Sequence, residues 1–523
     1  MTTLPVEKPN TERRGRMAAV LITLVIISLH GYFLVHAGGL WRDEVNIINL
    51  AGSHSLSVMT NDSFPVLLPV MIKGWCAVRL NSDLGLRLFG VLTGLCLVGT
   101  LWLAAWTGRR TAPLFGLTLL GLNGYMIFWG DSLRAFGLGA VLIVLALAAM
   151  CFLLGKPTWQ RTGILAVAAT LSVQALYQNA VFFAGIALGG WLVCWQRKDK
   201  AAAVKIFVAA LVPAVSLLPY LESVMRWQRT TTIRPGFSFK AALDNFNTVL
   251  AFPLPQYGWL WISLGLLVMG LGVAILFRAS SPPAREVSRM TTAELQIFAG
   301  VILLSSVAGY LVFLHFAALI TSPWYFLPLM AVVAACFDLG INLPALPRAL
   351  RTLLYGILIG TVLLSVVFAF RDLNCRFTNV DLVAQRLAKE VSAQDYVVVT
   401  PWYLGISFDR YYRGAAPWDT MPPVSDHSTH RFDLVPISEA DEARAMQPVL
   451  DRISNALQTG HRVWVVGWMR VPAPGHATAS REAQFLAEHS ESFETVDLKI
   501  KGQTSDYEDV SLLQANGWRA QKP

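Results

Sequence analysis

Two adjacent acidic residues, Asp43 and Glu44, follow the first long apolar run of the sequence. At the end of a membrane helix, such a pair lies at the membrane surface, where one reactant arrives from water and another from lipid. A carboxylate there can act as a general base that takes a proton from a hydroxyl group. We therefore predict a catalytic role for both residues, with Arg42 as a substrate-binding candidate. The structural alternative is that Asp43 caps a helix that begins near Val45 and that Glu44 favours the positive end of that helix.

A second polar cluster, residues 130–136, follows another apolar run and contains Asp131 and Arg134. The two residues are three positions apart, so we predict that they share one face of a helix. The guanidinium fork of arginine matches the oxygens of a phosphate group, which makes Arg134 a candidate for binding a phosphate and Asp131 a candidate substrate contact. A local ion pair between the two side chains is the alternative.

Four further polar residues lie at the ends of other apolar runs. Tyr177, Gln178 and Asn179 are consecutive, and Tyr325 closes a short segment rich in aromatic residues. All four are candidates for substrate binding at the same membrane surface. Hydrogen bonding between helices is the alternative for the first three, and an aromatic belt at the membrane interface is the alternative for Tyr325.

The composition indicates which elements position these residues. Of 523 residues, 54% are apolar and only 14% are charged, whereas a soluble domain has roughly 25% charged residues. The mean hydropathy is +0.51. Because a membrane helix needs about 20 apolar residues, the sequence predicts a polytopic α-helical membrane protein with about eleven transmembrane helices. The predicted spans are 17–36, 84–106, 112–128, 136–154, 162–178, 180–195, 203–221, 258–277, 296–319, 325–341 and 352–370.

The net charge of +9 is concentrated in alternate connections between these spans. If the N-terminus is cytoplasmic, every inner connection is basic, as the positive-inside rule requires. This pattern predicts a multi-pass protein of the cell inner (plasma) membrane and argues against a nucleic-acid partner. The inner connections then contain Arg109, Arg110, Lys156, Arg161, Arg197, Lys198, Lys200, Arg278, Arg285, Arg289, Arg348 and Arg351.

The predicted topology divides the chain into a membrane module, residues 1–370, and an extracytoplasmic domain, residues 371–523. The outer loop 37–83 carries the acidic pair and is apolar enough to form two interfacial helices. A second long outer loop covers residues 222–257. The module therefore presents its polar candidates on one side of the membrane.

The C-terminal region reads as an α/β domain, because amphipathic helical patterns alternate with strand-like runs at 396–400 and 462–467. It has no phosphate-binding loop, metal-binding motif or nucleophile elbow, so we assign it no chemistry of its own. The six cysteines of the chain also lack metal-ligand spacing, and we predict no metal site.

These features resemble the GT-C superfamily of polyprenyl-phosphate-dependent glycosyltransferases, especially the bacterial relatives of protein O-mannosyltransferases and of the lipid A aminoarabinose transferase. Members carry an Asp-Glu pair after the first helix, which Asp43 and Glu44 match. They carry a motif like Gln-Glu-x-Arg-x-Tyr after helix three, in which Arg134 matches the arginine, Asp131 is displaced from the acid, and Phe136 replaces the tyrosine. A His-Tyr pair near the fifth helix and a late Arg-Tyr correspond here to residues 177–179 and 324–325, without the histidine or the arginine.

The resemblance implies an inverting glycosyltransferase that moves a sugar from a polyprenyl-phosphate donor to an acceptor hydroxyl at the outer membrane surface. Asp43 would be the general base, Glu44 would orient a substrate, and Arg134 would offset charge on the departing phosphate. The acceptor would be a glycan, a lipid or a protein. Some members use a divalent cation and others do not, so the resemblance specifies no cofactor.

Two other functions are compatible with the same composition. A transporter or flippase for lipid-linked sugars would also be hydrophobic, but it would carry polar residues along a translocation path. A non-catalytic membrane scaffold would only present residues 371–523 to outer partners. The scarcity of charged residues in the middle of the predicted helices favours a function at the membrane surface.

Overall fold

The protein is described here from a computed structural model, and its residues form two compact units. The first unit comprises Met1–Leu34 and Ser53–Leu373, and the second comprises Val35–Gly52 and Asn374–Pro523. The structure describes residues 9–53, 55–60, 64–223, 225, 237–278, 290–318, 321–431, 434–435, 439–472, 480–498 and 502–519.

The described residues of the first unit form helices, apart from short connections. The α-helices that begin before residue 374, of which α2 belongs to the second unit, are α1 Pro9–His36, α2 Arg42–Gly52, α3 Leu56–Thr60, α4 Leu67–Ala77, α5 Asp83–Thr107, α6 Gly124–Gly130, α7 Ala135–Gly155, α8 Trp159–Ala175, α9 Asn179–Arg197, α10 Lys200–Ser216, α11 Phe239–Leu250, α12 Tyr257–Arg278, α13 Thr292–Phe316, α14 Leu327–Gly340 and α15 Arg348–Leu373. A π-helical turn covers Gly116–Gly121, and 3₁₀ turns cover Leu218–Tyr220, Pro323–Phe326 and Leu343–Ala345.

Each of the eleven predicted apolar segments corresponds to helical structure. Among the described residues, nine helices are long and apolar enough to cross a membrane. The other two predicted segments are shorter: the third is divided between the π-helical turn and α6, and the fifth is α8, with 17 residues. The chain is a multi-pass membrane protein.

Burial explains why the apolar helices differ in sequence. Most of α7 is buried within the unit, and its side chains are apolar on every face. By contrast, α12 and α15 leave many large apolar side chains exposed, among them Trp259, Phe277 and Val367. Apolar exposure of this kind is expected for helices that face lipid.

Local hydrogen bonds explain where individual helices begin. The side chain of Asn123 accepts bonds from the main-chain N–H groups of Tyr125 and Met126 at the start of α6. Thr291 and Glu294 form a reciprocal capping box at the start of α13. These caps satisfy N–H groups that have no partner within the helix.

The predicted interfacial helices of loop 37–83 correspond to α2 and α4, and these two helices belong to different compact units. α4 lies in the first unit, whereas α2 lies in the second unit with the C-terminal residues. This compact unit differs from the predicted division, which placed all of 37–83 with residues 1–370. The contacts responsible join residues more than 330 positions apart, so local sequence patterns do not reveal them. Within the predicted outer loop 222–257, residues 224 and 226–236 lie outside the described residues, as do the basic residues Arg285 and Arg289.

The C-terminal part of the second unit contains helices and strands in alternation. These elements are β1 Cys375–Arg376, α16 Val380–Glu390, β2 Tyr396–Thr400, α17 Gly405–Tyr411, β3 Trp418–Thr420, α18 Glu439–Gln458, β4 Val463–Gly467, α19 Arg481–His489, β5 Ser490–Val496, β6 Gln503–Thr504 and β7 Ser511–Trp518.

A five-stranded sheet in the order β3-β2-β4-β7-β5 forms the centre of this region. Strands β3, β2 and β4 are parallel, and β7 pairs antiparallel with both β4 and β5. Helices α16 and α17 pack on one face of the sheet, and α18 and α19 pack on the other. The strands β2 and β4 are buried on both faces, which accounts for their continuous apolar sequences. The predicted fold class, a polytopic helical membrane protein with a strand-containing C-terminal domain, is confirmed.

Candidate functional site

The acidic residues Asp43 and Glu44 lie in the first turn of α2. The main-chain carbonyl of Trp41 accepts bonds from the N–H groups of Glu44 and Val45, both at 3.0 Å. In return, Glu44 Oε2 accepts the N–H of Trp41 at 3.2 Å, and the Glu44 side chain is fully buried. The capping role is therefore performed by Glu44, within a helix that begins at Arg42. Its predicted catalytic role stays a prediction.

Asp43 is the more accessible of the two acids, with 16% of its side chain exposed. Its Oδ1 lies 3.0 Å from Nε2 of His430 and 3.7 Å from Nε of Arg42. Two cationic or protonatable groups thus face one carboxylate oxygen. A carboxylate held in this way is oriented by its neighbours, as a general base requires.

The loop that carries His430 is attached to α2 by main-chain as well as side-chain bonds. The N–H of His430 donates to Oδ1 of Asn46 at 2.9 Å, and Nδ2 of Asn49 donates to the carbonyl of Ser428 at 2.8 Å. Because Asn46 is buried and lies one turn after Asp43, this bond fixes His430 along the helix. His430 was not predicted from the sequence. The two histidines in residues 426–430 were the available signal.

Arg42 is held by a buried acid. Its main-chain N–H and its Nη1 donate to Oε2 of Glu508 at 3.0 and 3.2 Å. Glu508 is fully buried, and its other oxygen accepts the hydroxyl of Thr378 at 2.9 Å. Burial raises the pKa of the Glu508 carboxyl, while Arg42 and the hydrogen-bond donors oppose that rise. Glu508 was also missed, although it lies in an acidic run, residues 506–509.

In the first unit, Arg134 lies in extended backbone immediately before α7. Its guanidinium carbon is 5.2 Å from the centre of the Phe64 ring and 5.6 Å from that of Phe136. The Phe136 ring in turn contacts Tyr325, with 5.0 Å between ring centres. Aromatic faces stabilise the cation and fix the direction of its fork. The structure thus brings two predicted site residues, Arg134 and Tyr325, into one aromatic cluster.

Gln178 connects this cluster to the helix scaffold. Its Nε2 donates to the main-chain carbonyl of Tyr325 at 2.8 Å, and the hydroxyl of Tyr310 lies 3.1 Å from its Oε1 and 2.9 Å from the same carbonyl. These bonds hold the turn that carries Tyr325. Gln178 therefore supports the position of Tyr325 through the main chain.

Tyr177 and Asn179 have other surroundings. The Tyr177 ring packs edge-on against Tyr220 at 5.6 Å. Asn179 is fully buried, and its Nδ2 donates to the carbonyls of Gly139 and Ser172 at 2.9 and 3.1 Å. This pattern is the helix–helix hydrogen bonding considered as the alternative. Substrate binding by Tyr177 and Asn179 stays a prediction.

Asp131 does not share a helical face with Arg134, so that expectation was wrong. Helix α6 ends at Gly130 and α7 begins at Ala135, so the four residues between them are not helical. A spacing of three residues therefore does not place two side chains on one face here. Oδ2 of Asp131 lies 2.7 Å from Nδ1 of His30, and only 4% and 1% of the His30 and Asp131 side chains are exposed.

Glycines on α5 make room for this buried pair. A Cβ atom at Gly94 would lie 2.0 Å from Oδ1 of Asp131 and 2.5 Å from the His30 ring, and one at Gly90 would lie 1.8 Å from the Asp131 carbonyl. Any larger residue would displace the pair. The interaction was not predicted because His30 stands alone in an apolar run.

We expect His30→Ala to lower the free energy of unfolding by about 3 kcal/mol, because it removes the hydrogen-bond partner of the buried Asp131 carboxyl group. Asp131→Asn should cost less, since an amide can still bond to the ring. Thermal unfolding in detergent would measure both variants. His315→Ala, at an exposed ring on α13, is the matched control. Unchanged stability of the His30 variant would contradict a structural role for the pair.

Within the described ranges, no group of three or more His, Cys, Asp or Glu side chains is arranged to hold a metal ion.

Comparisons with known proteins bear on the fold. No family model matches the sequence, and no curated protein matches it significantly. Among solved structures, ArnT from Cupriavidus metallidurans in the apo state is 13% identical, with a TM-score of 0.53 over 95% of this chain and 98% of that chain. The same ArnT bound to undecaprenyl phosphate is 12% identical, with a TM-score of 0.49 over 95% and 97%. An apo oligosaccharyltransferase from Archaeoglobus fulgidus is 12% identical, with a TM-score of 0.46 over 86% and 69%.

Apo ArnT supports the assignment of the fold, because the match extends over nearly the whole of both chains. A single alignment that covers 95% of this chain includes residues of both units. At this level of identity the likeness concerns the fold and not the reaction. The chain therefore has the fold of ArnT, as its resemblance to the GT-C superfamily predicts.

Proposed function

We propose that this protein is a glycosyltransferase that moves a sugar from a polyprenyl-phosphate donor to an acceptor hydroxyl. The observation that carries the proposal is the Asp43 carboxylate, which is partly exposed and oriented by His430 and Arg42, in a chain with the GT-C fold. ArnT, which shares this fold, has also been crystallised with undecaprenyl phosphate, and this supports a lipid-phosphate donor. The acceptor is a glycan, a lipid or a protein of the cell envelope.

In the proposed reaction, Asp43 accepts the proton of the acceptor hydroxyl as that oxygen attacks the anomeric carbon. The bond from the anomeric carbon to the donor phosphate breaks, and the lipid phosphate leaves with the electron pair. Attack from the side opposite the leaving group inverts the anomeric configuration. Arg134 offsets the negative charge that grows on the departing phosphate. The rings of Phe64 and Phe136 hold its guanidinium group in place.

We also propose that the chain lies in the inner (plasma) membrane with a cytoplasmic N-terminus. The basic connections between apolar segments support this orientation. The acidic segment and the C-terminal α/β region then lie outside the cytoplasm, where an acceptor of the cell envelope is accessible.

The test is transfer of label by the purified full-length protein. Undecaprenyl-phosphate derivatives of several radiolabelled sugars would be incubated with envelope extracts, and the label would be followed into the acceptor fraction. Transfer that the wild type performs and Asp43→Asn does not would support the proposal. Movement of the intact labelled lipid across reconstituted vesicles without any transfer would favour a flippase. A protein that does neither would fit the scaffold alternative.

His430 is expected to support Asp43 in this reaction. His430→Ala should lower kcat by roughly 10-fold or more with a smaller change in KM for the donor, because the carboxylate loses the group that orients it. Steady-state kinetics with the best labelled donor would measure the effect. His461→Ala, at a histidine elsewhere in the second unit, is the control. A normal kcat in the His430 variant would exclude this positioning role.

A further inference from the structure

The C-terminal sheet has a point at which the strand order reverses. From β2 the chain passes through α17 to β3 on one side, and then through α18 to β4 on the other side of β2. The two helices pack on opposite faces of the sheet. In open α/β sheets, ligands bind at such a switch point, in the crevice outside the carboxyl ends of the two strands. Here those strand ends are Thr400 and Gly467.

The side chain of Arg42 lies at this position. Tyr403 follows β2, Trp468 follows β4, and the guanidinium carbon of Arg42 is 4.8 and 5.9 Å from the centres of their rings. The Trp468 ring is fixed, because its Nε1 donates to the carbonyl of Asp509 at 3.0 Å. Cation–π contacts of this kind stabilise an arginine where it is partly removed from water.

The loop before β7 provides the acceptors for Arg42. Nη1 of Arg42 donates to the carbonyl of Tyr507 at 2.8 Å as well as to Glu508. A fully buried carboxylate is costly unless a charge and hydrogen bonds compensate it, and Arg42 supplies both. Arg42 is therefore the charged partner of the buried Glu508, and the hydroxyl of Thr378 adds a further hydrogen bond.

The residues before Arg42 are fitted closely to the same domain. The N–H of Leu40 donates to the hydroxyl of Tyr411 at 2.6 Å. A Cβ atom at Gly38 would lie 2.6 Å from the guanidinium of Arg376, and Gly38 has a φ of +68°, which favours glycine. A Cβ atom at Gly39 would lie 2.8 Å from the Asp381 carboxyl carbon. Residues 38–42 thus lie against the domain along their whole length.

We propose that the switch-point crevice of the C-terminal sheet holds the chain's own Arg42, at the place where other open α/β sheets bind a ligand. In this proposal, Arg42 and Glu508 are positioning residues for Asp43. The inference rests on the proposed function, in which Asp43 is the base. The Glu508 contact fixes the N–H of Arg42, one peptide unit before Asp43, and His430 fixes the Asp43 side chain. The C-terminal domain then contributes to the reaction by orienting the base, although it supplies no reacting group.

The test compares Glu508→Ala, Glu508→Gln and Arg42→Lys in the full-length protein. We expect Glu508→Ala to lower kcat by about 10-fold or more, with donor KM changed less, because a small displacement of a reacting group has effects of this size. Glu508→Gln should retain part of the activity, because its amide oxygen can still accept the N–H of Arg42. Arg42→Lys should lie between wild type and Glu508→Ala, since lysine keeps the charge but loses the fork and the stacking. Glu494→Gln, at an exposed acid on β5, is the matched control.

Hydrogen exchange of the amides of residues 40–46 provides a second measurement that does not depend on activity. It should accelerate in Glu508→Ala, less so in Glu508→Gln, and not in Glu494→Gln. If no glycosyl transfer is found for the wild type, accelerated exchange would still support docking of Arg42 while the proposed function fails. Exchange equal to wild type in Glu508→Ala would overturn the docking, and accelerated exchange with normal kcat would overturn the positioning role. If Glu508→Ala does not fold, Arg42→Lys decides by the same two readouts.

Discussion

Replacement of Asp43 by asparagine is expected to lower the rate of sugar transfer by about 10²-fold or more, the scale of a lost general base. The amide is nearly the same size as the carboxylate and its oxygen can still accept a bond from His430, so the local structure should persist. The side chain loses its capacity to take a proton and its negative charge. Binding of the undecaprenyl-phosphate sugar should therefore be normal, and single-turnover transfer would measure the defect.

Two controls make this result specific. Asp451→Asn changes another carboxylate, on α18, where it accepts a bond from Gln447 at 2.8 Å, and it should transfer sugar at the normal rate. Glu44→Gln changes the neighbouring acid, whose carboxylate accepts the N–H of Trp41 at the start of α2. Comparison of the two variants shows which acid of the pair the transfer rate depends on. Near-normal turnover by the Asp43 variant would remove Asp43 from the role of base.

Local sequence patterns predict the membrane helices well. Their cause is local: a run of about 20 apolar residues is sufficient for a spanning helix, whatever its neighbours are. The runs at 84–106 and 136–154 accordingly correspond to α5 and α7 within one or two residues. The strand predicted at 396–400 is present with the same bounds, because a short buried run of valines has few alternatives.

The environment of the acidic pair could not be predicted in this way. Asp43 contacts His430 and Arg42 contacts Glu508, so each contact joins residues that lie several hundred positions apart. Neither partner belongs to a short motif. The lack of recognisable motifs therefore suggested that the C-terminal domain carries no chemistry, whereas in the structure its residues contact the acidic segment.

The prediction that Asp131 shares a helical face with Arg134 was wrong because it assumed a continuous helix through both residues. The chain between Gly130 and Ala135 is not helical, and the buried His30 compensates the Asp131 carboxylate. The same break leaves Arg134 in extended backbone, where its side chain reaches two aromatic rings. The functional prediction for Arg134 rests on its guanidinium fork, which in the structure lies between the rings of Phe64 and Phe136.

Arg134→Ala is expected to lower kcat/KM for the lipid-phosphate donor by about 10²-fold, the effect of removing one donor that stabilises developing negative charge. Arg134→Lys should lose less, because lysine keeps the positive charge while it loses the planar fork and the stacking on Phe64 and Phe136. Kinetics at varied donor concentration would rank the variants as wild type, lysine, alanine. The effect should be concentrated on the donor, since the charge that Arg134 offsets develops on the donor phosphate.

The chain offers a close control for this experiment. Arg161 also packs on a phenylalanine, with its guanidinium carbon 3.7 Å from the centre of the Phe152 ring, and its Nη1 donates to the carbonyl of the same residue at 2.6 Å. Arg161→Ala removes a comparable cation–π contact and should lower stability without changing donor kinetics. If Arg134→Ala and Arg134→Lys have the same donor kinetics, Arg134 acts through local packing and the donor phosphate is bound by another group.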